Sequence, residues 1–226
     1  MPENKNLNPQ LSETAVVASC GSLNITCEDN MDLMARYSDN YFDLAIVDPP
    51  YGININVSMG RRKGGKKSNY HKFAGNDNST PSAEYFKELE RVSKNQIVWG
   101  GNYMTEFLKP SPCWLMWDKG FSEDITFAQF EMAWSSFTSS AKKFNKHPSQ
   151  QHRIHPTQKP VALYKWLLDK YAKPNDKILD THLGSGSIAV ACHDYGFELT
   201  ACELDREYFD KAMQRIKNHT NQQKLF

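Results

Sequence analysis

The run Leu44-Ala45-Ile46-Val47, closed by Asp48-Pro49-Pro50-Tyr51, decides how this chain is read. Four apolar residues ahead of two prolines predict a buried parallel strand that must stop there, because proline has no N–H to give to a ladder. In an open α/β sheet the carboxyl ends of strands face the ligand crevice, so the turn would hold a carboxylate and an aromatic ring over a cleft. The two prolines leave carbonyl acceptors without donors, Asp48 adds a side-chain acceptor, and Tyr51 adds a flat apolar face. Such a group suits a planar ligand carrying an exocyclic NH2. Asp-Pro-Pro is also an ordinary start to a loop, so the remainder of the chain must supply its meaning.

The 226 residues suffice for one α/β domain with a large core and are short for two. Residues 1–14 are polar and rich in Asn, which reads as a flexible tail, and 15–226 as a single domain. Lys plus Arg is 27 against 26 for Asp plus Glu, so total charge says nothing of partners, whereas its distribution does. No acid lies between Asp48 and Asp77, a stretch holding Arg61, Arg62, Lys63, Lys66, Lys67, His71 and Lys72. A second acid-free tract, Met132 to Leu168, holds Lys142, Lys143, Lys146, Arg153, Lys159 and Lys165. Two basic loops are therefore expected, at 52–81 and 138–154, with phosphate contacts from Arg61, Arg62, Lys63, Lys66, Lys67, Lys142 and Lys143. Solvated surface loops are the plainer alternative.

Five cysteines (Cys20, Cys27, Cys113, Cys192, Cys202) form no C-x-x-C pair, and their odd number argues against a disulfide framework, so reduced thiols in a cytoplasmic protein are expected. His147, His152 and His155 lie in a polar stretch without cysteine or carboxylate partners at ligand spacing, and no metal is expected. The first residues lack the apolar core of a signal peptide, and no run approaches the roughly 20 apolar residues of a membrane span.

Along the chain, strands are predicted at Leu23–Cys27, Gln96–Asn102, Cys113–Trp117, Phe127–Trp134, Lys177–Asp180 and Glu198–Cys202, with Glu131 an isolated acid in the fourth of these. Helices are predicted over 31–37, with Asp29 or Asn30 as cap, then from the Ser79–Glu84 start through Ser93, with Pro81 in the first turn. Further helices follow at Val161–Ala172, Ile188–Tyr195 and Arg206–Lys217. This alternation predicts a doubly wound, mostly parallel α/β sheet. Between the strand ending at Asp180 and its helix lies Thr181-His182-Leu183-Gly184-Ser185-Gly186-Ser187. A Gly-x-Gly turn lets backbone approach a ligand, and the helix start offers unpaired N–H groups. Glu203, about twenty residues on, stands where an acid grips a ribose diol, or it joins Asp205 in capping the last helix.

Asp48-Pro-Pro-Tyr51, His155-Pro-Thr-Gln-Lys-Pro160, Asp180-x-x-x-Gly184-Ser-Gly186 and Glu203 together resemble the amino-methylating DNA methyltransferases that use S-adenosylmethionine. The order resembles the permuted beta group of that restriction-modification family, with the catalytic half ahead of the cofactor half, over about residues 22 to 217. The resemblance implies a Rossmann-like fold. It implies that Asp48 and the Pro49 carbonyl accept the two hydrogens of the target amine, in a turn completed by Pro50, and that Tyr51 stacks on the extruded base. It also implies that Asp29 meets the adenine end of the cofactor, that His155 and Lys159 lie near its methionine end, that Asp180, His182, Gly184, Ser185, Gly186 and Ser187 wrap it, and that Glu203 holds the ribose. The family usually has Pro-Phe after the strand aspartate, whereas Thr181-His182 follows Asp180 here, which gives His182 a packing role in place of a catalytic one. Aspartate in the first position resembles adenine-N6 members more than cytosine-N4 members, which more often carry serine. Cytosine N4, an RNA base, or an inactive nucleic-acid-binding protein of this fold stand as alternatives, and a second copy in a homodimer would extend the basic surface. A nicotinamide-dependent oxidoreductase fails on the glycine spacing.

Overall fold

The computed structural model describes residues 16–53, 77–122, 128–148, 153–155 and 157–221. The expected tail at 1–14 lies outside these residues. The strands are β1 (Val16–Cys20), β2 (Leu23–Cys27), β3 (Leu44–Val47), β4 (Gln96–Trp99), β5 (Trp114–Asp118), β6 (Phe130–Ser135), β7 (Lys142–Asn145), β8 (Lys177–Asp180) and β9 (Glu198–Glu203). The helices are α1 (Asn30–Ala35), α2 (Ala83–Val92), α3 (Val161–Tyr171), α4 (Ser187–Tyr195) and α5 (Arg206–Thr220), and a short 3-10 turn covers Gly101–Tyr103.

All nine strands form one sheet in the order β1-β2-β9-β8-β3-β4-β6-β5-β7. The centre, β2-β9-β8-β3-β4, is parallel throughout. From β3 the chain winds outward through α2 to β4, and from β8 it winds the other way through α4 to β9. The winding direction therefore reverses between the neighbours β8 and β3, and a crevice opens outside the carboxyl ends of strands at such a point.

All four residues of β3 are buried, as its continuous apolar run requires, and alternate between two cores. Leu44 and Ile46 pack with residues of α3, α4 and α5, while Ala45 and Val47 pack with residues of α1 and α2. This is the doubly wound α/β arrangement expected from the sequence. Asp29 caps α1 by accepting from the Met31 N–H at 2.7 Å, and Asp205 caps α5 by accepting from Glu207 and Tyr208 at 2.9 and 3.0 Å.

Three local expectations change. Residues 142–145, expected inside a basic loop, form β7, parallel to β5. Only Phe144 of that strand turns toward the core, so its sequence carries almost no apolar alternation. Pro81 precedes the α2 cap Ser82 instead of entering the first turn. A strand at 16–20 pairs antiparallel with β2 at the edge, where the sequence offered only the onset of order. Cys27, Cys113, Cys192 and Cys202 are unbonded thiols. Among the described residues no helix is long and apolar enough to cross a membrane.

Gly186 caps α4 with φ of 71°, and a Cβ there would stand 3.0 Å from Cδ1 of Ile216 on α5. Gly21 has a similar φ of 62° but nothing within 4 Å of its Cβ position. Alanine at Gly21 should therefore cost about 1 kcal/mol of backbone strain, and alanine at Gly186 about 2 kcal/mol in chemical denaturation. Equal losses would mean that Ile216 yields without cost.

Candidate active site

Because β2, β9, β8, β3 and β4 run parallel as neighbours, the segments leaving their carboxyl ends gather on one rim. That rim collects Asp29 beyond β2, Glu203 at the end of β9, Asp180 at the end of β8, Asp48 beyond β3 and Gly100 beyond β4. Four carboxylates thus reach one edge of the sheet from four separate stretches of sequence.

The glycine turn after β8 is built on two of them. Asp180 is 2% exposed, and its Oδ1 accepts from the His182 N–H at 3.0 Å. Glu203 accepts from the Gly184 N–H at 2.8 Å and the Asp205 N–H at 3.0 Å, tying the turn to the end of β9. Gly184 and Gly186 adopt φ of 53° and 71°, which side-chain-bearing residues rarely adopt. From α5, Arg215 donates to the Ser185 carbonyl at 2.7 Å and to Ser187 Oγ at 2.9 Å, while Ser187 Oγ donates to the Lys159 carbonyl at 2.8 Å. His182 Nε2 lies 3.2 Å from Asn30 Nδ2 and its Nδ1 lies 2.9 Å from Thr181 Oγ1, with the ring edge-on to Tyr85. His155 packs edge-on to Tyr208, and a Cβ on Gly184 would approach its Nε2 no closer than 3.8 Å.

Burial sets the charge here. Asp180 is pushed up to about 8 by burial, with the nearby Asp48 and Glu203 carboxylates adding to the effect. Burial also raises Glu203, against the N–H groups of Asp205 and Gly184. His155 and His182 are both lowered to about 4, chiefly by burial, so their imidazoles are neutral at pH 7.

Beside this turn, Asp48 heads a buried charge network. The Lys159 ammonium, whose side chain is 1% exposed, lies 2.5 Å from Asp48 Oδ2 and 3.1 Å from Glu131 Oε2. The Tyr51 hydroxyl donates to Asp48 Oδ1 at 2.8 Å and lies 3.1 Å from Lys159 Nζ. On the far side, Lys119 Nζ meets Glu131 Oε1 at 2.6 Å. The Lys159 ammonium also stands 5.3 Å from the centroid of the Trp99 ring. The Tyr51 ring stacks on Tyr103, centroids 5.3 Å apart, and a Cβ on Gly100 would fall 2.2 Å from Tyr51 Cε1, so β4 must be followed by glycine. The Asp77 carboxylate accepts from the N–H groups of Tyr51 and Gly52 at 2.9 and 3.1 Å, fixing the turn from behind. Burial raises Asp48, with Lys159 opposing and Glu131 reinforcing. Burial alone would raise Glu131 too, but Lys159 and Lys119 hold it down to about 2. Burial disfavours the Lys159 cation, and Asp48 and Glu131 outweigh it, leaving the ammonium above its ordinary range.

The structure thus brings Asp48, Tyr51, Asp180, Glu203, Asp29 and the turn Gly184–Ser187 to one edge of the sheet. Lys159, expected near the methionine end of the cofactor, divides its contacts: its carbonyl holds Ser187, whereas its ammonium pairs with Asp48. Lys142 and Lys143 sit on the outermost strand, beyond β4, β6 and β5, and Lys143 pairs with Asp118 at 3.2 Å. Arg61, Arg62, Lys63, Lys66 and Lys67 lie outside the described residues. Sequence reasoning missed Lys119, Tyr103 and the role of Glu131 as a partner. The available signal was Glu131 itself, since an acid inside an apolar strand needs a buried cation. Among the described residues no group of three His, Cys, Asp or Glu side chains could hold a metal ion.

The family model for DNA methylase matches residues 116–214. The chain is 22% identical over 244 aligned residues to the type II methyltransferase M.HpaI of Haemophilus parainfluenzae, covering 87% of this chain and 75% of that protein. Its fold is similar to that of M1.HpyAVI in complex with SAM, with a TM-score of 0.57 and 18% identity over 86% of this chain and 98% of the other. It is also similar to PvuII DNA methyltransferase, which is cytosine-N4-specific, with a TM-score of 0.57 and 12% identity over 88% and 91% of the two chains.

The raised Asp180 has a testable sign. Between its unfolded value of 3.8 and a folded value of about 8, the native state holds a proton that the unfolded chain has lost, so stability falls as pH rises through that window. Asp180→Asn keeps an acceptor for the His182 N–H and removes the titration. From pH 6 to 8 the wild type should lose about 2 kcal/mol of unfolding free energy relative to this variant. Parallel stability curves would show that Asp180 titrates normally.

Proposed function

We propose that this chain, which matches the family model for DNA methylase over residues 116–214, transfers the methyl group of S-adenosylmethionine to N6 of an adenine flipped out of DNA. The observation that carries the reading is the placement of Asp48-Pro49-Pro50-Tyr51 and the Asp180–Glu203 glycine turn on neighbouring strands where the sheet reverses its winding. The residues of that turn fit the cofactor. A buried, largely protonated Asp180 would ionise beside a cationic ligand, Glu203 offers acceptor sites to a diol, and Gly184 faces the His155 ring. Asp29 would serve the adenine end, His155 the methionine end, and Ser185 to Ser187 the backbone cradle.

S-adenosylmethionine supplies a methyl group made electrophilic by its bond to a sulfonium. The nucleophile is poor, because an adenine amine delocalises its lone pair into the ring. Asp48 and the Pro49 carbonyl accept its two hydrogens and favour a pyramidal nitrogen whose lone pair points at the methyl carbon. Each Asp48 oxygen already has one partner, Tyr51 or Lys159, and each retains a second lone pair for the amine. The cofactor would supply the methyl from its sulfonium, which keeps the electron pair of the broken C–S bond, and Asp48 would pass the amine proton to water. Stacking on the Tyr51 ring, extended by Tyr103, offsets part of the few kcal/mol needed to unstack the base. Arg61, Arg62, Lys63, Lys66 and Lys67, with Lys142 and Lys143, would hold the DNA backbone, and a second copy would lengthen that surface.

Aspartate at position 48 supports adenine; the fold likeness to PvuII makes cytosine N4 the competing outcome. Duplex DNA incubated with cofactor carrying a labelled methyl, then digested to nucleosides, should yield labelled N6-methyldeoxyadenosine by mass analysis. Labelled N4-methyldeoxycytidine would overturn the base assignment. Asp48→Ala should abolish transfer with cofactor binding near normal, and retained activity would remove the turn from the mechanism. Neutralising Arg61, Arg62, Lys66 and Lys67 together should weaken DNA binding and lower the slope of log affinity against log salt by about 3 to 4. An unchanged slope would mean that these side chains do not touch phosphate.

A further inference from the structure

A buried ion pair is poor evidence of a need for stability, because apolar residues of the same volume usually do as well. A group of four charges, three of them partly exposed around a buried lysine, therefore asks what else it does. Lys119, Glu131, Lys159 and Asp48 alternate in sign across distances of 2.6, 3.1 and 2.5 Å, and the last of them is the carboxylate proposed to touch the reacting amine. Lys119 is held in place by closure of the β5–β6 hairpin, where its N–H donates to the Gln129 carbonyl at 2.8 Å, and Glu131 lies on β6.

We infer that Glu131 is a positioning residue for methyl transfer: by sharing Lys159 with Asp48, it offsets the field of that ammonium at the reacting nitrogen, while Lys119 balances the total from the far side of Glu131. The inference rests on the proposed reaction and deepens it. During transfer a single positive charge is present throughout, moving from sulfur to nitrogen. Asp48 paired with Lys159 alone is a neutral dipole whose ammonium opposes that charge. Glu131 offsets part of the ammonium's field, and the low dielectric around the buried Lys159 strengthens the effect. Glu131 also draws Lys159 toward itself, so the ammonium holds Asp48 in orientation without monopolising it. Lys119 fixes the second Glu131 oxygen and keeps that carboxylate ionised.

The groups facing Asp48 are Lys159 ahead of α3, Tyr164 on α3, Glu131 on β6, Tyr51 on its own turn and Asp180 at the end of β8. The test changes one of them, with Glu131→Gln as the isosteric variant. Two readouts are needed, the Asp48 carboxyl midpoint by carbon-13 NMR in protein without cofactor, and steady-state kinetics on duplex DNA. Loss of the neighbouring anion should lower the Asp48 midpoint by on the order of one pH unit. It should also lower kcat about tenfold with KM for DNA and cofactor unchanged. Glu131→Asp should recover part of kcat. Should Glu131→Gln unfold, Lys119→Met with Glu131→Gln removes a cation with the anion and should show the same two changes. An unmoved Asp48 midpoint with kcat within twofold of wild type would overturn the inference, as would a loss confined to KM. An inactive Asp48→Ala enzyme beside a fully active Glu131→Gln enzyme would overturn only the part given to Glu131, whereas an active Asp48→Ala enzyme overturns the reaction assigned to this turn.

Discussion

The contact on which the site depends is the 2.5 Å pairing of Lys159 with Asp48. An ammonium whose side chain is 1% exposed cannot persist without anions around it, and the two it has come from different strands. The requirement draws together the turn after β3, the start of β6 and the segment entering α3. The same residue fixes the second half of the pocket through its main chain, since its carbonyl accepts from Ser187 at the start of α4. One lysine thus sets the spacing between the Asp-Pro-Pro-Tyr turn and the glycine turn, and a shift of either would strand a buried charge.

What could be read in advance follows from how far the signal had to travel along the chain. Leu44–Val47 and Lys177–Asp180 announced their limits because short apolar runs end abruptly in proline or in a Gly-rich turn, and both strands have those limits. The caps Asp29 and Asp205 were legible for the same local reason. β7 was not, because a strand with one inward side chain looks like a solvated loop. The partner of Asp48 was not legible either. Lys159 is separated from it by 111 positions, and only the sheet order makes them neighbours. Glu131 stood out as a misfit in an apolar strand, but a misfit states that a partner exists without naming it.

The two carboxylates ending β8 and following β3 are held in different ways by the same burial. Asp48 has a cation and a hydroxyl on its two oxygens, whereas Asp180 has a main-chain N–H and no cation in contact, and its pKa rises to about 8. Burial raises both carboxyls, and the Lys159 cation opposes that rise directly at Asp48. On the proposed reaction, Asp48 would meet the target amine and Asp180 the bound cation, without a change of residue type.

Asp77 gives the fold a property of a different kind. Its carboxylate binds the N–H groups of Tyr51 and Gly52, so the chain departing toward residue 54 and the chain returning at residue 77 are clasped at one point. For a segment closed at both ends, doubling its length costs only roughly 0.6 kcal/mol of closure entropy. Insertions and deletions between the clasped ends would therefore leave the Asp-Pro-Pro-Tyr turn where it is. The clasp thus separates the number of intervening residues from the position of the turn they leave.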